Sequence, residues 1–424
     1  MGKSLYICYF GMREPLVQTQ VLPYLRELRK DGHEITLLTF EPQLATSWTT
    51  DEIKIRRSEL ADEGIHWEYL PYHKRFSAIA TAWDVLRGTL RIRRLNRQNR
   101  YDIFHCRVHV PGVMALLARA FLRRKPKMVF DIRGFFPEEF VDAGNWPADG
   151  VLYKAAKSAE RKIMAASAAF VVLTHKAREI LFPETGTAEN THAAAEKGYT
   201  NKLGRPVEVI PCCIDPVRFA ASDAANRESI RARLEIGNRP VLTYVGSFGT
   251  WYMLNETAEL IAAARKKYPD IFLLILSQSP RSMIEPLLLE NGFAPRDYFI
   301  SRVPSAEIPA YLAAADMAVS FIKPSYSKKS SSPTKNAEYL ACGLPIIANR
   351  GVGDVDQLIE EKKVGVLIDS FSEESYLKAL EELELLGDIS DRCRDVALKE
   401  FDLTTVGGKR YRRLYSRVLN ASEK

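Results

Sequence analysis

The chain alternates short apolar runs with amphipathic stretches of helical spacing, and it does so twice. Leu5–Phe10 is an unbroken apolar run of strand length, followed by the loop Gly11-Met-Arg-Glu-Pro15. Val21, Leu22, Leu25 and Leu28 then recur on one face of a helix predicted from Thr19 to Lys30, which Gly32 ends. Ile35–Phe40 and Ile65–Leu70 read as the next strands, and 76–99 as one long helix. Strands follow at Asp102–Cys106, Met128–Ile132, Ala169–Leu173 and Val207–Ile210, with helices over Pro111–Leu122 and Val151–Ala166 and a short one N-capped by Thr174. Thr185–Arg205 reads as a polar loop, and the charged stretch from Pro216 to Arg239 as linker. The alternation restarts with strands at Val241–Val245, Phe272–Leu276, Tyr298–Ile300 and Met317–Ile322, again separated by helical patterns, and ends with strands at Ile346–Ala348 and Gly365–Asp369 and helices over Ser372–Leu386 and Tyr411–Leu419.

Strands separated by helices require crossover connections and hence parallel pairing. The expected fold class is therefore α/β, with two Rossmann-like, doubly wound parallel-sheet domains over residues 1–215 and 216–400, and a closing helix in 401–424 packing back on the first. Two domains also suit a 424-residue chain, which exceeds what one core usually serves. In such sheets ligands lie beyond the carboxyl ends of the strands, and two facing sheets make a cleft between them natural.

Composition narrows the function classes. No stretch is long enough to cross a bilayer, and the apolar run at the N-terminus has no cleavage-site pattern. Six cysteines without a CxxC pair read as reduced thiols of a cytoplasmic protein with no metal site. A net charge of +7 permits anionic partners, but no nucleic-acid-binding module accompanies it. Six arginines (Arg87, Arg91, Arg93, Arg94, Arg97, Arg100) crowd residues 76–100 among Ile79, Trp83, Leu86, Leu90 and Ile92. That stretch reads either as a solvated helix packed on the sheet or as a basic amphipathic helix lying on an anionic membrane.

The chemistry concentrates in Ser330–Pro345. After the Met317–Ile322 strand, Ser332 and Pro333 suit a helix start, and Gly343 with Pro345 ends the helix. Its free N–H groups, the hydroxyls of Ser330, Ser331, Ser332 and Thr334, and Lys335 suit a phosphate. Glu338, one turn on, suits sugar hydroxyls. The same residues also fit an ordinary charged surface helix.

Several segments, in order, resemble the retaining glycosyltransferases of family 4. Gly32-His-Glu-Ile-Thr36 resembles the family's "GHEV" and Tyr101-Asp-Ile-Phe-His105 its "DVIH". Val209-Ile-Pro-Cys-Cys-Ile-Asp215 with Phe219 is similar to "VIPNGVD…F", and Tyr244-Val-Gly-Ser247 to the glycine loop of the second domain. Glu338-Tyr-Leu-Ala-Cys-Gly-Leu-Pro345 is similar to "EALACGLP". The resemblance implies the GT-B fold and transfer of a sugar, with retention, from a UDP- or GDP-sugar to a glycan, lipid-linked glycan or other hydroxyl acceptor. It places such a hexosyltransferase in cell-surface polysaccharide or glycoconjugate synthesis, without cofactor or metal. It gives Glu338 the ribose-hydroxyl role, and Gly11, Gly246 and Ser247 join Lys335 and the 330–334 hydroxyls around the donor diphosphate. The family carries a second glutamate where this chain has Ser330, and the basic residues that usually follow the glycine loop have no counterpart in Ser247–Tyr252.

On the acceptor side, Arg13, Asp131, Arg133 and Glu138 are candidates, with an ion pair between Asp131 and Arg133 as the alternative. His109, just past a strand end, is the best-placed extra catalytic group, whereas His105 reads as a core histidine. Trp251 and Tyr252 either flank the bound nucleotide or pack. A lipid-linked acceptor would bring the protein to the inner face of the membrane. A non-catalytic sugar-nucleotide-binding subunit and a sugar-nucleotide epimerase are the competing readings.

Overall fold

A computed structural model describes residues 2–73, 77–185, 197–220 and 222–421. It divides into two units, Met1–Pro211 with Thr404–Lys424, and Cys212–Leu403. The first holds strands β1 (Lys3–Cys8), β2 (Glu34–Pro42), β3 (Ile65–Tyr72), β4 (Ile103–Arg107), β5 (Lys127–Ile132), β6 (Ser167–Val172), β7 (Tyr199–Thr200) and β8 (Pro206–Val209). They form one sheet in the order β3-β2-β1-β4-β5-β6-β8-β7, parallel except for the β7–β8 pair. The second unit holds β9 (Val241–Val245), β10 (Phe272–Leu276), β11 (Tyr298–Ser301), β12 (Met317–Ser320), β13 (Ile346–Asn349) and β14 (Gly365–Ile368), in the order β11-β10-β9-β12-β13-β14.

In both sheets the order reverses beside the first strand, between β1 and β4 and between β9 and β12. This is the doubly wound arrangement, and its reversal point opens a crevice at the carboxyl ends of the two flanking strands. The central strands are apolar on both faces because helices cover both: Leu5, Ile7, Leu38, Phe104 and Phe130 are buried in the first unit, and Leu242, Leu273, Leu274, Val319 and Ile347 in the second.

The helix Lys409–Asn420 belongs to the first unit. It buries Tyr411, Leu414, Tyr415 and Val418, at helical spacing. Arg412 pairs with Glu27 at 2.6 Å, and Arg413 with the buried Glu208.

The structure corrects several local expectations. The helix expected over 19–30 is two, Pro15–Gln20 and Leu22–Arg29, broken at Val21, which the Pro23 ring one residue inside the second helix helps to explain. The expected linker contains the helix Ala224–Arg233, started by the Asp223 carboxylate accepting the Asn226 N–H at 2.8 Å. The strand β7 lies inside the stretch read as a loop, of which residues 186–196 fall outside the described residues. A helix at Thr50–Asp62, with a capping box between Thr49 and Glu52, has no counterpart among the predicted elements.

Candidate active site

In the second unit, β9 runs into Gly246, whose φ of +121° lies outside the range comfortable for a residue with a side chain. The Tyr244 hydroxyl donates to the Ser247 carbonyl at 3.0 Å and the Tyr244 ring stacks on Phe248 at 4.0 Å, so the turn is held from beneath. Beside it, β12 leads through a short turn at Ser327–Ser330 into the helix Thr334–Ala341. This helix starts one residue later than the sequence predicts. Pro333 occupies the N-cap and makes no side-chain cap bond, because the Ser332 hydroxyl instead accepts the Cys212 N–H at 3.1 Å. Its other end closes as expected: Gly343, at φ +78°, donates to the Leu340 carbonyl at 2.9 Å, and Leu344 donates to the Tyr339 carbonyl at 2.9 Å.

Lys335 sits in the first turn of that helix and is buried, only 7% exposed. Its Nζ makes no hydrogen bond within the protein. It lies 3.9 Å from the centroid of the Tyr244 ring and 4.2 Å from that of Tyr252. A Cβ placed on Gly246 would be 3.4 Å from this Nζ, so glycine loop and ammonium share one small space. Burial pulls the Lys335 ammonium down to about 7, with Glu338 opposing. Glu338 is buried too, and its carboxyl is pushed up by that burial, opposed by Arg218 and Lys335. Arg218 Nη1 approaches its Oε1 at 3.4 Å.

A buried ammonium with no hydrogen-bonded acceptor, at a helix N-terminus and beside a glycine turn, is under-compensated in the protein alone. Thus Gly246, Lys335 and the helix start come together as a cradle. Ser330 does not open toward it as simply as expected: it is buried and its hydroxyl donates to the Ser327 carbonyl at 2.6 Å. Ser331 and Thr334 are half-buried and Ser247 is exposed.

In the first unit, β4 ends at Arg107 and is followed by Val108, a β-branched residue at φ +63°, a strain of order 1–3 kcal/mol. The next residue, His109, begins the helix His109–Ala120. His109 Nε2 lies 2.8 Å from Glu160 Oε2, its ring stacks on Phe136, and its Nδ1 is buried without a hydrogen bond. Burial opposes ionisation of Glu160, but bonds from His109 and Lys157 hold it below the usual carboxylate range. Lys157 also pairs with Glu138 at 2.9 Å, and Tyr153 donates to Glu138 at 3.2 Å. His109 and Glu138 therefore belong to one charged cluster through Lys157.

Asp131 and Arg133 belong to a different one. Asp131 is fully buried and accepts from Tyr411 at 2.9 Å. His105 stands 3.5 Å away, and Arg107 and Arg133 3.6 Å. Burial opposes its charge, but Arg133, His105 and Arg107 hold the carboxyl well below the ordinary range. Arg13 bonds Glu52 at 2.7 Å and covers the Trp48 ring. Gly11 is packed tightly: a Cβ there would come within 2.6 Å of Pro42 and 3.1 Å of the Glu41 carboxylate, which itself accepts the Met12 N–H.

Sequence reasoning missed Tyr244, Arg218, Lys157 and Glu160. The i, i+3 spacing of Lys157 and Glu160 was the signal available for the last two. No cluster able to hold a metal ion occurs among the described residues.

Two parallel-sheet α/β units, each with a crevice at its strand reversal, define the GT-B class of fold. Solved structures of that class superpose on nearly the whole chain. Anabaena HepE in complex with UDP and glucose has a TM-score of 0.65 at 15% identity, covering 98% of this chain and 100% of that one. The family model "Glycosyl transferases group 1" matches residues 226–400, and "Glycosyl transferase 4-like domain" matches 17–194. The chain belongs to the group 1 glycosyltransferases. Among curated relatives, a GDP-mannose-dependent α-(1-6)-phosphatidylinositol monomannoside mannosyltransferase of Mycolicibacterium smegmatis is 25% identical over 42% of this chain. A 2-deoxystreptamine glucosyltransferase of Streptomyces kanamyceticus is 26% identical over 48%. Each match spans about half of the relative, 47% and 48% of its length.

Proposed function

We propose that the chain transfers a hexosyl group from a nucleoside-diphosphate sugar to a hydroxyl acceptor, with retention at the anomeric carbon. The reading is carried by Lys335: a buried ammonium that makes no hydrogen bond, facing two tyrosine rings at the N-terminus of the Thr334–Ala341 helix. As the anomeric C–O bond breaks, charge grows on the leaving diphosphate. Lys335 and the dipole of the Thr334–Ala341 helix meet that charge. Glu338, held toward Arg218, takes the ribose hydroxyls. The first unit binds the acceptor, with His109 and Glu138 offering its polar groups, and the leaving phosphate itself assists deprotonation of the acceptor hydroxyl. Asp131 and Arg133, enclosed in their own network, would support this side by holding β5 in place.

The acceptor class we favour is a glycan or lipid-linked glycan, for an enzyme acting in the cytoplasm at the inner face of the membrane. One relative's named acceptor, a phosphatidylinositol monomannoside, is a glycolipid. The test is a panel of UDP-, GDP- and ADP-sugars, led by UDP-glucose and GDP-mannose, read by thermal shift and nucleotide release. Stabilisation with release in the presence of a lipid-linked acceptor supports the proposal. Stabilisation without turnover on any acceptor points to a binding subunit, and no stabilisation at all removes the donor site.

A further inference from the structure

A helix that packs on a sheet normally buries its apolar stripe and leaves the charged face in water. The helix Ser77–Asn99 does the reverse along much of its length. Ile79, Trp83, Leu86 and Leu90 fall on one stripe and are 75%, 52%, 49% and 54% exposed. The face turned to the unit instead carries Ala80, Asp84, Thr89, Ile92, Leu95 and Asn96, all buried. Asp84, the helix's one acidic residue, is fully buried and accepts hydrogen bonds from Tyr9 at 2.7 Å and the His73 N–H at 3.0 Å. The outward face is therefore apolar and cationic, with no carboxylate of its own.

The patch does not stop at this helix. The helix His109–Ala120 packs beside it and leaves Leu117 and, just past its end, Phe121 exposed at 42% and 67%. The Arg93 guanidinium lies 4.7 Å over the Phe121 ring, joining the two rows. Around them stand exposed basic residues, Arg94, Arg97, Arg100, Arg123 and Lys125. None of this set is used by the donor or acceptor groups.

We propose that this face docks on an anionic lipid surface. Ile79, Trp83, Leu86, Leu90 and Phe121 enter the interfacial layer, and the arginines meet the headgroup charge. Two observations favour lipid over protein: the apolar residues lie in one row along a helix, as an interfacial helix requires, and the exposed charges of that helix are all cationic. The inference needs no donor or acceptor, so it stands or falls apart from the glycosyl-transfer reading.

The experiment is co-sedimentation of the full chain with phosphatidylcholine vesicles, alone and with about one part in three phosphatidylglycerol. Binding is expected only to the anionic vesicles and is expected to weaken with added salt. Arg94→Gln with Arg97→Gln should lower partitioning about thirtyfold, from about 1 kcal/mol per cation at the surface. Trp83→Gln with Leu86→Gln should lower it on both low- and high-salt arms. Because these side chains are exposed, the variants should keep the thermal transition of the parent, which separates lost binding from lost folding. Equal vesicle binding by parent and variants overturns the proposal, as does equal binding to neutral vesicles. So does absence of binding to the anionic vesicles, and a concentration-dependent dimer that Trp83→Gln abolishes would then make the face an interface between two copies.

Discussion

Replacing Lys335 by Met tests the donor site through its energetics before any turnover is measured. Burial has moved the ammonium from 10.5 to about 7. That gap of about 3.5, at about 1.4 kcal/mol each, means that keeping the cation buried costs the empty protein up to about 5 kcal/mol. The sign follows from proton counts. Below pH 7 the lysine is charged in folded and unfolded chains alike, and the full cost is present. Between pH 7 and about 10 the unfolded chain holds the proton that the folded chain has released, so parent stability rises relative to the Met variant. Methionine fills a similar volume against Tyr244 and Tyr252 without charge. Denaturation of parent and variant from pH 6 to pH 10 should therefore show the variant more stable at the acid end, by several kcal/mol, with the difference closing as pH rises.

A bound diphosphate reverses the balance by supplying the missing acceptor. Binding of UDP at pH 8 should then draw close to one proton into the parent, and much less at pH 6, while the Met variant takes up none at this site. Calorimetry in two buffers of different ionisation enthalpy measures this. Loss of the charged bond should also weaken UDP by about 1.5–3 kcal/mol, roughly ten- to a hundredfold. A stability difference that does not change with pH, together with equal proton uptake by both proteins, would refute the assignment of Lys335 as the cradle's cation.

Three further changes probe the frame around it. Glu338→Ala should weaken nucleotide-sugar binding about tenfold or more by removing charge-assisted bonds to hydroxyls, and unaltered affinity by calorimetry would exclude the ribose role. Gly246→Ala puts a side chain at φ +121° and 3.4 Å from Lys335 Nζ, so a stability loss of about 1–3 kcal/mol should appear together with weaker UDP binding. Asp131→Asn leaves Arg107 and Arg133 buried without their carboxylate and should cost about 3–5 kcal/mol in urea denaturation. The Asp131 contribution is complete above the ordinary carboxyl value of 3.8 and is lost only as pH falls below it, so parent and variant should converge in acid and differ at neutral pH.

How far such a site could be read in advance depends on which forces fix it. The strands of both units were legible because each is a run of apolar residues buried on both faces, and the end of the Thr334–Ala341 helix was legible because a glycine at a left-handed position stops it. Lys335 stood out for its type and its place after a strand. Its burial could not be read from the chain, since it comes from Tyr244 and Tyr252, far off in sequence and converging only once β9 and β12 lie side by side. Ser330 shows the same limit from the other side. As a residue type it offers a hydroxyl to a sugar, yet in the fold that hydroxyl donates to the Ser327 carbonyl, a local bond the sequence permits but does not announce. Ile79, Trp83, Leu86 and Leu90 make the point most sharply. Their spacing is that of a buried stripe, and the opposite face is the one that packs, because Asp84 finds Tyr9 and His73 inside. Periodicity shows that a helix has two faces. Only the partners available to its polar residues decide which of the two is left for something outside the protein.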